Sequence, residues 1–154
     1  MLRIGFTGSQ KGLTTHQSIM LESELLKLIP DHGSVEFHHG DCIGADFQAH
    51  AIFHDIMFGR SNGYIVIHPP DNPTKRAYSD KAHGGRYNKI TTNVLDEQPY
   101  HVRNQDIVDW SDIMLACPAQ EKEQLRSGTW SVVRKARKQA KQVILISWME
   151  WMKT

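Results

Sequence analysis

Short apolar runs alternate with amphipathic stretches along the whole chain. The first run, LRIGFTG at residues 2–8, predicts a buried strand, and the glycine- and hydroxyl-rich residues after it predict a loop. Thr14 or Thr15 can cap a following helix, whose apolar residues recur at mixed helical spacing until Pro30. The chain therefore opens with a strand, a loop and a helix.

The same alternation continues to the carboxyl end. Further strands are predicted in SVEFHHG, GYIVIHPP, DIMLACP and QVILISW, and helices from Ala45 to Gly59, Pro99 to Trp110 and Gly128 to Gln139. Such alternation indicates a parallel sheet with helices on both faces and right-handed crossovers. We predict an α/β fold, a Rossmann-like three-layer sandwich with a mainly parallel sheet of about five strands, as a single domain over residues 1–154.

Two segments depart from this alternation. Residues 71–98 are rich in Asn, Asp, Gly, Lys and Arg, with little periodicity, and so long a loop in a compact domain is usually functional or disordered. We treat Asp71 to Gln98 as a candidate lid. Near the carboxyl end, Trp148 and Trp151 are three residues apart, which predicts a hydrophobic patch closing the core, with a homo-oligomer contact as the alternative.

Charge and composition narrow the function classes. Eighteen Lys+Arg against seventeen Asp+Glu give a net charge of +1, so any anion binding must be local. The amino-terminal run is neither a signal peptide nor long enough to span a bilayer, and Cys42 and Cys117 lack a CxxC spacing. We expect a soluble, cytoplasmic protein with reduced, buried cysteines, no membrane partner, and nucleic acid disfavoured as a partner.

Ligands of such sheets collect at the carboxyl ends of the strands, where loops meet helix N-termini. The loop TGSQKG at residues 7–12 lets a ligand approach the backbone, but it is neither GxGxxG nor a P-loop, and a plain turn explains it equally well. The loop RSGTW at residues 126–130 is the best local signal. It combines hydroxyls, a glycine and amides aligned with a helix dipole.

The loop at residues 38–50, HHGDCIGADFQAH, has two interpretations. Gly40 and Gly44 permit close backbone approach, so the amides from Gly44 to Asp46 can cradle a phosphate, while Asp46 caps the helix or accepts from a ribose. Alternatively, Asp46, His50 and His54 share one helical face that suits a metal. No HExxH motif or third ligand at a recognised spacing supports the metal, so we predict none, with His50 packing or hydrogen-bonding between helix and sheet.

Two more loops carry basic side chains toward the same edge. His68 ends a predicted strand and is followed by Arg76, for which a solvated surface loop is an even alternative. Arg103 and Asn104 stand at a predicted helix start, where a guanidinium can clamp a phosphate in bidentate fashion, in competition with pairing to a nearby aspartate.

Together these loops resemble the SLOG superfamily, the Rossmann-like group that includes the Lonely Guy phosphoribohydrolases and DNA-processing protein A. GDCIGADFQAH is similar to the Gly-x-Gly-x-Asp-x-x-Ala-His element of the latter, RNQDIV to its Arg-Asn-x-x-Ile segment, and SGTWSVVRKAR to its Ser-Gly-(Ser/Thr) helix start. The order and spacing fit nearly the whole chain, as a stand-alone branch. Lonely Guy enzymes carry a catalytic glutamate in Pro-Gly-Gly-x-Gly-Thr-x-x-Glu, and here Val132 takes that position, so Asp41 or Asp46 would have to replace it.

The resemblance implies a nucleotide or nucleotide-derived ligand, such as the NAD-derived or cyclic nucleotide signals that superfamily members sense in bacterial defence. We expect binding or sequestration of such a ligand, with no resident cofactor. The alternatives are a nucleotide N-glycosidase or phosphoribohydrolase and, third, a binder of single-stranded DNA. The candidate ligand-binding residues are Gly8, Ser9, Gln10, Gly40, Asp41, Gly44, Ala45, Asp46, His68, Arg76, Arg103, Asn104, Ser127, Gly128, Thr129 and Trp130.

Overall fold

The computed structural model describes residues 1–31 and 33–148 and shows helices on both faces of one parallel sheet. The strands are β1 (Leu2–Gly8), β2 (Val35–His39), β3 (Gly63–Ile67), β4 (Thr91–Val94), β5 (Ile113–Cys117) and β6 (Gln142–Leu145). The helices are α1 (Thr15–Leu28), α2 (Ala45–Met57), the single turn α3 (Ala82–Gly85), α4 (Tyr100–Trp110) and α5 (Gly128–Lys138). This is the predicted Rossmann-like fold, with six strands instead of about five.

Local sequence explains where the first helix begins. The Thr14 hydroxyl accepts from the Gln17 amide at 3.1 Å, and the Gln17 side chain accepts from the Thr14 amide at 3.1 Å. This reciprocal capping box satisfies amide groups that a helix leaves without internal partners. Of the two threonines that could begin the helix, Thr14 is therefore the cap.

The strand order, β4-β3-β2-β1-β5-β6, decides where a ligand can enter. From β1 the chain moves outward through β2, β3 and β4, then returns across the sheet to β5 and β6. Since the crossovers are right-handed, α1 and α2 pack together on one face, and α4 and α5 on the other. The order reverses between β1 and β5, and a crevice at the carboxyl ends of two such strands is the usual ligand site of an open α/β sheet.

Residues 71–98, treated above as one long loop and candidate lid, contain regular structure. The segment contains a 3₁₀ turn at Pro73–Lys75, the α3 turn and the edge strand β4, whose Thr92 pairs with Ile65 of β3. β4 reads TTNV and is mostly exposed, because an edge strand needs no continuous apolar run. The hydrophobic pattern therefore missed it.

A chain of buried hydrogen bonds joins α2 to the sheet. The Asp41 amide donates to His39 Nδ1 at 3.0 Å, so His39 Nε2 carries the proton and donates to His50 Nδ1 at 2.8 Å. His50 Nε2 then donates to the Tyr87 carbonyl at 2.9 Å. The predicted role of His50 at the helix–sheet interface is confirmed. Every ring nitrogen of His39 and His50 has a hydrogen-bond partner only while both imidazoles are neutral.

A second chain crosses from β2 to β3. Glu36 Oε1 lies 2.6 Å from His38 Nε2, and His38 Nδ1 lies 2.7 Å from His68 Nε2. The Trp110 ring covers the pair, with its centroid 5.5 Å from that of His38. Burial lowers the pKa of His38, against the pull of Glu36, and lowers the pKa of His68 to about 3.

The carboxyl-terminal tryptophans are only partly described. Trp148 is 39% exposed, and Trp151 lies outside the described residues, so the patch and the oligomer contact stay predictions. No helix in residues 1–31 and 33–148 is both long and apolar enough to cross a membrane.

Candidate functional site

A cavity of about 210 Å³ opens at the carboxyl ends of β1 and β5, where the strand order reverses. Ten of its lining residues were predicted from the sequence: Gly8, Ser9, Gln10, Gly40, Asp46, Arg103, Asn104, Ser127, Gly128 and Thr129. Eight were not: Phe6, Thr7, Cys42, Tyr100, Ile107, Ala119, Gln120 and Val132. The switch-point pocket, as we call this cavity, thus brings together residues from four separate loops.

The loop after β1 is clamped against the start of α2. A Cβ on Gly8 would lie 2.5 Å from the Ala45 Cβ, and one on Gly44 would lie 2.3 Å from the Gln10 carbonyl oxygen. The Ala45 amide donates to the Ser9 carbonyl at 3.0 Å. Gly44 and Ala45 therefore support the pocket wall without lining it, and the Ala45 amide of the expected phosphate cradle is already engaged.

The start of α5 presents unengaged donors to the pocket. The Ser127 hydroxyl accepts from the Trp130 amide at 3.2 Å and caps the helix. The amides of Gly128 and Thr129 lie in the first turn, where a helix supplies no acceptor of its own. The positive end of an 11-residue helix thus faces the cavity, an arrangement that favours anions.

Arg103 is a buried cation at the opposite wall. Its Nη1 donates to the Gly40 carbonyl at 2.5 Å, and its guanidinium lies 4.9 Å from the ring centroid of Tyr100. Both Nη atoms lie 3.7 Å from Cys42 Sγ. A Cβ on Gly40 would come within 1.8 Å of Nη1, so only glycine fits there. Arg103 holds the loop after β2 by these contacts, while its Nε has no hydrogen-bond partner among the described residues.

Asp46 is the one carboxylate among the residues that line the pocket in the described part of the chain. Its Oδ2 accepts from the Cys42 amide at 3.1 Å. Burial raises the pKa of Asp46 to about 6, while the charge of Arg103 and the Cys42 amide act in the opposite direction. The carboxyl group therefore changes charge close to neutral pH, which suits either a hydrogen-bond acceptor or a proton donor.

Neither Cys42 nor Tyr100 supplies an anion to the pocket. Burial raises the pKa of the Cys42 thiol, and burial raises the pKa of Tyr100 to about 12. The Tyr100 hydroxyl accepts from Gln10 Nε2 at 3.3 Å and lies 3.9 Å from Cys42 Sγ. Both groups are neutral at physiological pH and connect α4 with the two loops.

The other candidate acid, Asp41, faces away from the pocket. Its carboxylate is fully buried and accepts from the Ser79 amide at 2.9 Å, the Ser79 hydroxyl at 2.6 Å and Arg76 Nε at 3.1 Å. Arg76 Nη1 also donates to Glu97 at 3.0 Å. These hydrogen bonds hold the segment after β3 against the loop after β2, beside the pocket.

We expect Asp41→Asn to destabilise the fold by about 3 kcal/mol, because it breaks a buried ion pair and leaves Arg76 with only the exposed Glu97 as a charged partner. Asn tolerates the left-handed backbone of this position, where φ is 55°, so the change removes the charge and one acceptor oxygen without straining the backbone. Glu97→Gln is the matched control. It removes the exposed partner of the same arginine and should cost less than about 1 kcal/mol. Urea unfolding measures the free energy of unfolding of both variants. Equal losses would contradict a stabilising role for the buried Asp41–Arg76 ion pair.

Three further predicted residues lie outside the pocket lining. His68 belongs to the buried histidine pair, although its carbonyl lies 3.5 Å from Arg103 Nη1. Arg76 forms the buried ion pair with Asp41 described above. Trp130 is 3% exposed and packs with Ala116 and Val133 on the sheet.

The sequence held a signal for part of what was missed. Tyr100 is three residues before Arg103 on one helix, so their side chains share a face. Val132, at the position of the Lonely Guy glutamate, lies one turn after Gly128 and reaches the cavity. Cys42 gave no comparable signal, because its place depends on the fold of the loop around Arg103.

No three His, Cys, Asp or Glu side chains within residues 1–31 and 33–148 converge as metal ligands do. The three residues considered for a metal instead have other partners. Asp46 binds the Cys42 amide, His50 belongs to the histidine chain, and His54 Nε2 accepts from the Lys89 amide at 3.1 Å.

Solved structures show the same architecture at low sequence identity. The molybdenum cofactor binding protein from the phototrophic bacterium Rippkaea orientalis is 18% identical, with a TM-score of 0.60 over 95% of this chain and 76% of that chain. The structural genomics target TM1055 is 14% identical, with a TM-score of 0.52 over 93% of this chain and 72% of that chain. No protein-family model and no curated protein matches the sequence. The chain therefore has a Rossmann-like α/β fold.

Proposed function

We propose that this protein binds a phosphorylated, nucleotide-derived small molecule in the switch-point pocket. The observation that carries the proposal is the start of α5, whose Gly128 and Thr129 line the cavity together with the loop after β1. Arg103 adds a buried positive charge in a chain whose net charge is only +1. The attraction for an anion would therefore come from these local donors, because the net charge of the whole molecule is too small to supply it.

The size and walls of the cavity favour a small ligand over a nucleic acid strand. A volume of about 210 Å³ is below the roughly 300–1,000 Å³ of common ligand sites, so part of a nucleotide fits inside and the rest extends outward. Phe6, Ile107 and Val132 add apolar surface. A single-stranded DNA binder would need a basic groove with a series of stacking aromatic side chains.

Membership of the SLOG superfamily, as a stand-alone branch, belongs to the same proposal. The three elements that resemble its motifs supply Gly40 and Asp46, Arg103 and Asn104, and the α5 start to one pocket. By this proposal the protein senses or sequesters an NAD-derived or cyclic nucleotide signal. The Rippkaea orientalis protein, named for binding the molybdenum cofactor, makes that cofactor a competing ligand to test.

Titration calorimetry tests the proposal directly. The panel contains ADP-ribose, cyclic mononucleotides and dinucleotides, nucleoside monophosphates and the molybdenum cofactor, each at pH 7.5. We expect at least one phosphorylated nucleotide to bind with a micromolar or lower Kd. Binding of the molybdenum cofactor alone would replace the proposed ligand class, and no binding across the panel would overturn the proposal.

A nucleotide N-glycosidase is the second candidate, favoured by Asp46. Its carboxyl group lines the pocket with a pKa raised to about 6, which lets it donate a proton to a departing base. Against this, Val132 occupies the position of the Lonely Guy glutamate. Incubation with nucleoside monophosphates followed by chromatography decides the matter. Release of free base by the wild type and not by Asp46→Asn would establish hydrolysis, and no release excludes it for those substrates.

A further inference from the structure

We propose that the end of the switch-point pocket beside Gly40 binds a heterocyclic base by its 2-amino-4-oxopyrimidine edge. Arg103 donates to the ring carbonyl of this edge, and Asp46 accepts from its two neighbouring N–H groups. Guanine and the pterins share the edge, whereas adenine lacks it. The inference rests on the proposed function and deepens it, because it narrows the base of the ligand to guanine or a close analogue.

A cation and a carboxylate flank Gly40 on the side that a side chain would occupy. A Cβ built on Gly40 would lie 1.8 Å from Arg103 Nη1 and 3.0 Å from Asp46 Oδ2. All three residues line the pocket. Nη1 donates to the Gly40 carbonyl, and Oδ2 accepts from the Cys42 amide, so backbone contacts hold both side chains in place. This end of the pocket therefore presents a fixed donor group next to a fixed acceptor group.

Arg103 has donors left over for a ligand. Both of its Nη atoms lie 3.7 Å from Cys42 Sγ, which occupies the end of the planar guanidinium. The edge formed by Nε and Nη2 remains, and Nε has no hydrogen-bond partner among the described residues. Arg103 is only 4% exposed, and a donor left unpaired at such burial is unfavourable. A carbonyl oxygen has two lone pairs and can accept from both nitrogens of this edge.

Asp46 has acceptor sites left over. Burial raises the pKa of Asp46 to about 6, so its carboxyl group is mostly ionised at pH 7.5 and can only accept. A carboxylate offers about four acceptor sites, of which the amides of Cys42 and Gly40 use two. The remaining sites match the two neighbouring N–H groups of a guanine-like edge.

The charges and walls of this end favour a neutral aromatic ring over an anion. The charges of Arg103 and Asp46 oppose each other, so the end attracts a phosphate weakly. Phe6, Tyr100 and Ile107 line the same cavity and offer apolar surface to a ring. Adenine presents a single amino donor and a ring nitrogen with one lone pair, which would leave some buried donors and acceptors unpaired. A guanine-like edge pairs them.

Titration calorimetry at pH 7.5 with GMP, IMP and AMP tests the edge, because these ligands differ only in the base. We expect IMP, which lacks the 2-amino group, to bind about tenfold more weakly than GMP, as the loss of one hydrogen bond to a charged acceptor implies. AMP should bind at least about 100-fold more weakly than GMP. Neopterin carries the same edge without a phosphate. If it binds more tightly than GMP, the edge is supported and a pterin replaces the nucleotide of the proposed function.

Asp46→Asn tests the carboxylate by a change of specificity. The amide nitrogen of Asn can donate to the 2-oxo group of XMP, so this variant should bind XMP at least about tenfold more tightly than GMP, the reverse of the wild-type order. Asp41→Asn is the matched control. It makes the same change at a carboxylate that binds Ser79 outside the pocket, and it should keep the wild-type order. A merely structural role for Asp46 would weaken GMP and XMP alike, and that result would overturn its assignment to the base.

Failure of the base assignment is distinguishable from failure of the proposed function. If GMP, IMP and AMP bind within about threefold of one another, or if AMP binds most tightly, the base assignment is wrong and the proposed function stands. If neither these ligands nor any member of the nucleotide panel binds the folded wild type, both proposals fail. Circular dichroism confirms that the variants compared are folded.

Discussion

Gly128→Asp is expected to abolish binding of the tightest nucleotide of the calorimetric panel while leaving the protein folded. Gly128 lines the pocket at the first position of α5, and a Cβ built there meets no atom within 4 Å. The added carboxylate would occupy the mouth of the proposed anion site. Placing like charges together costs several kcal/mol, so we expect Kd to rise at least about 100-fold.

The same substitution should not harm the helix. An acidic residue in the first turn interacts favourably with the helix dipole, by about 0.3–1 kcal/mol, and α5 has none there. Replacing glycine inside a helix is itself stabilising by up to about 1 kcal/mol. Urea unfolding should therefore show a midpoint at or above that of the wild type.

Gly128→Ala is the matched control, since it adds the Cβ without the charge. We expect it to bind within about threefold of the wild type. If a folded Gly128→Asp variant binds the nucleotide as tightly as Gly128→Ala does, the phosphate does not lie at α5. That result would remove the observation on which the proposed function depends.

The free energy of unfolding is expected to start falling once the pH drops below about 6.5, before most carboxylates titrate. Burial lowers the pKa of four histidines: His38, His39, His50 and His68, the last to about 3. In the unfolded chain each has a pKa of about 6.5. Above pH 6.5 these histidines are neutral in both the folded and the unfolded state, so they do not make the free energy of unfolding depend on pH. Below it the unfolded chain binds the additional protons, and stability falls continuously toward the folded pKa values.

The pKa shift of Asp46 has the opposite effect on the pH dependence of stability. Its pKa is raised to about 6 in the folded state, above the unfolded value, so the folded protein gains a proton and some stability as the pH falls through 6. One such group offsets one histidine. A net excess of three protons in the unfolded chain corresponds to about 4 kcal/mol of unfolding free energy lost per pH unit. Marginal stabilities of about 5–15 kcal/mol would be lost within a few pH units.

Urea denaturation between pH 7.5 and 4.5 measures this slope. His50→Gln removes one buried imidazole and should reduce the slope by about one proton, whatever its effect on stability at neutral pH. His101→Asn, which changes an exposed side chain, is the matched control. A wild-type free energy that stays flat from pH 7 to 5 would contradict the assignment of neutral, buried histidine chains.

Elements that follow from a local pattern were evident in the sequence. The buried strands from Leu2 to Gly8 and from Ile113 to Cys117 were evident because both faces are covered and their residues are continuously apolar. The α5 start was evident because Ser127 and Gly128 have local roles in capping and close approach. β4 was missed because an exposed edge strand has no such pattern.

The roles of individual site residues depended on partners far away in the chain. Asp41 and Asp46 are equal candidates in the sequence, yet Asp41 binds Ser79 and Arg76 while Asp46 faces the cavity. Arginine is the residue type expected to bind a phosphate, but Nη1 of Arg103 donates to the carbonyl of Gly40, 63 residues earlier. No spacing rule relates such pairs, because a loop contact forms only after the sheet has set the strand order.

By itself, the sequence determined the fold class and most of the loops that meet at one edge of the sheet, since each follows from hydrophobic period, capping or glycine placement. Only the tertiary structure decided which of two aspartates lines the pocket, that the Ala45 amide of the expected cradle is engaged, and that four histidines are buried in two neutral chains. These outcomes depend on burial and on hydrogen-bond partners from distant strands, and neither is encoded in a local pattern.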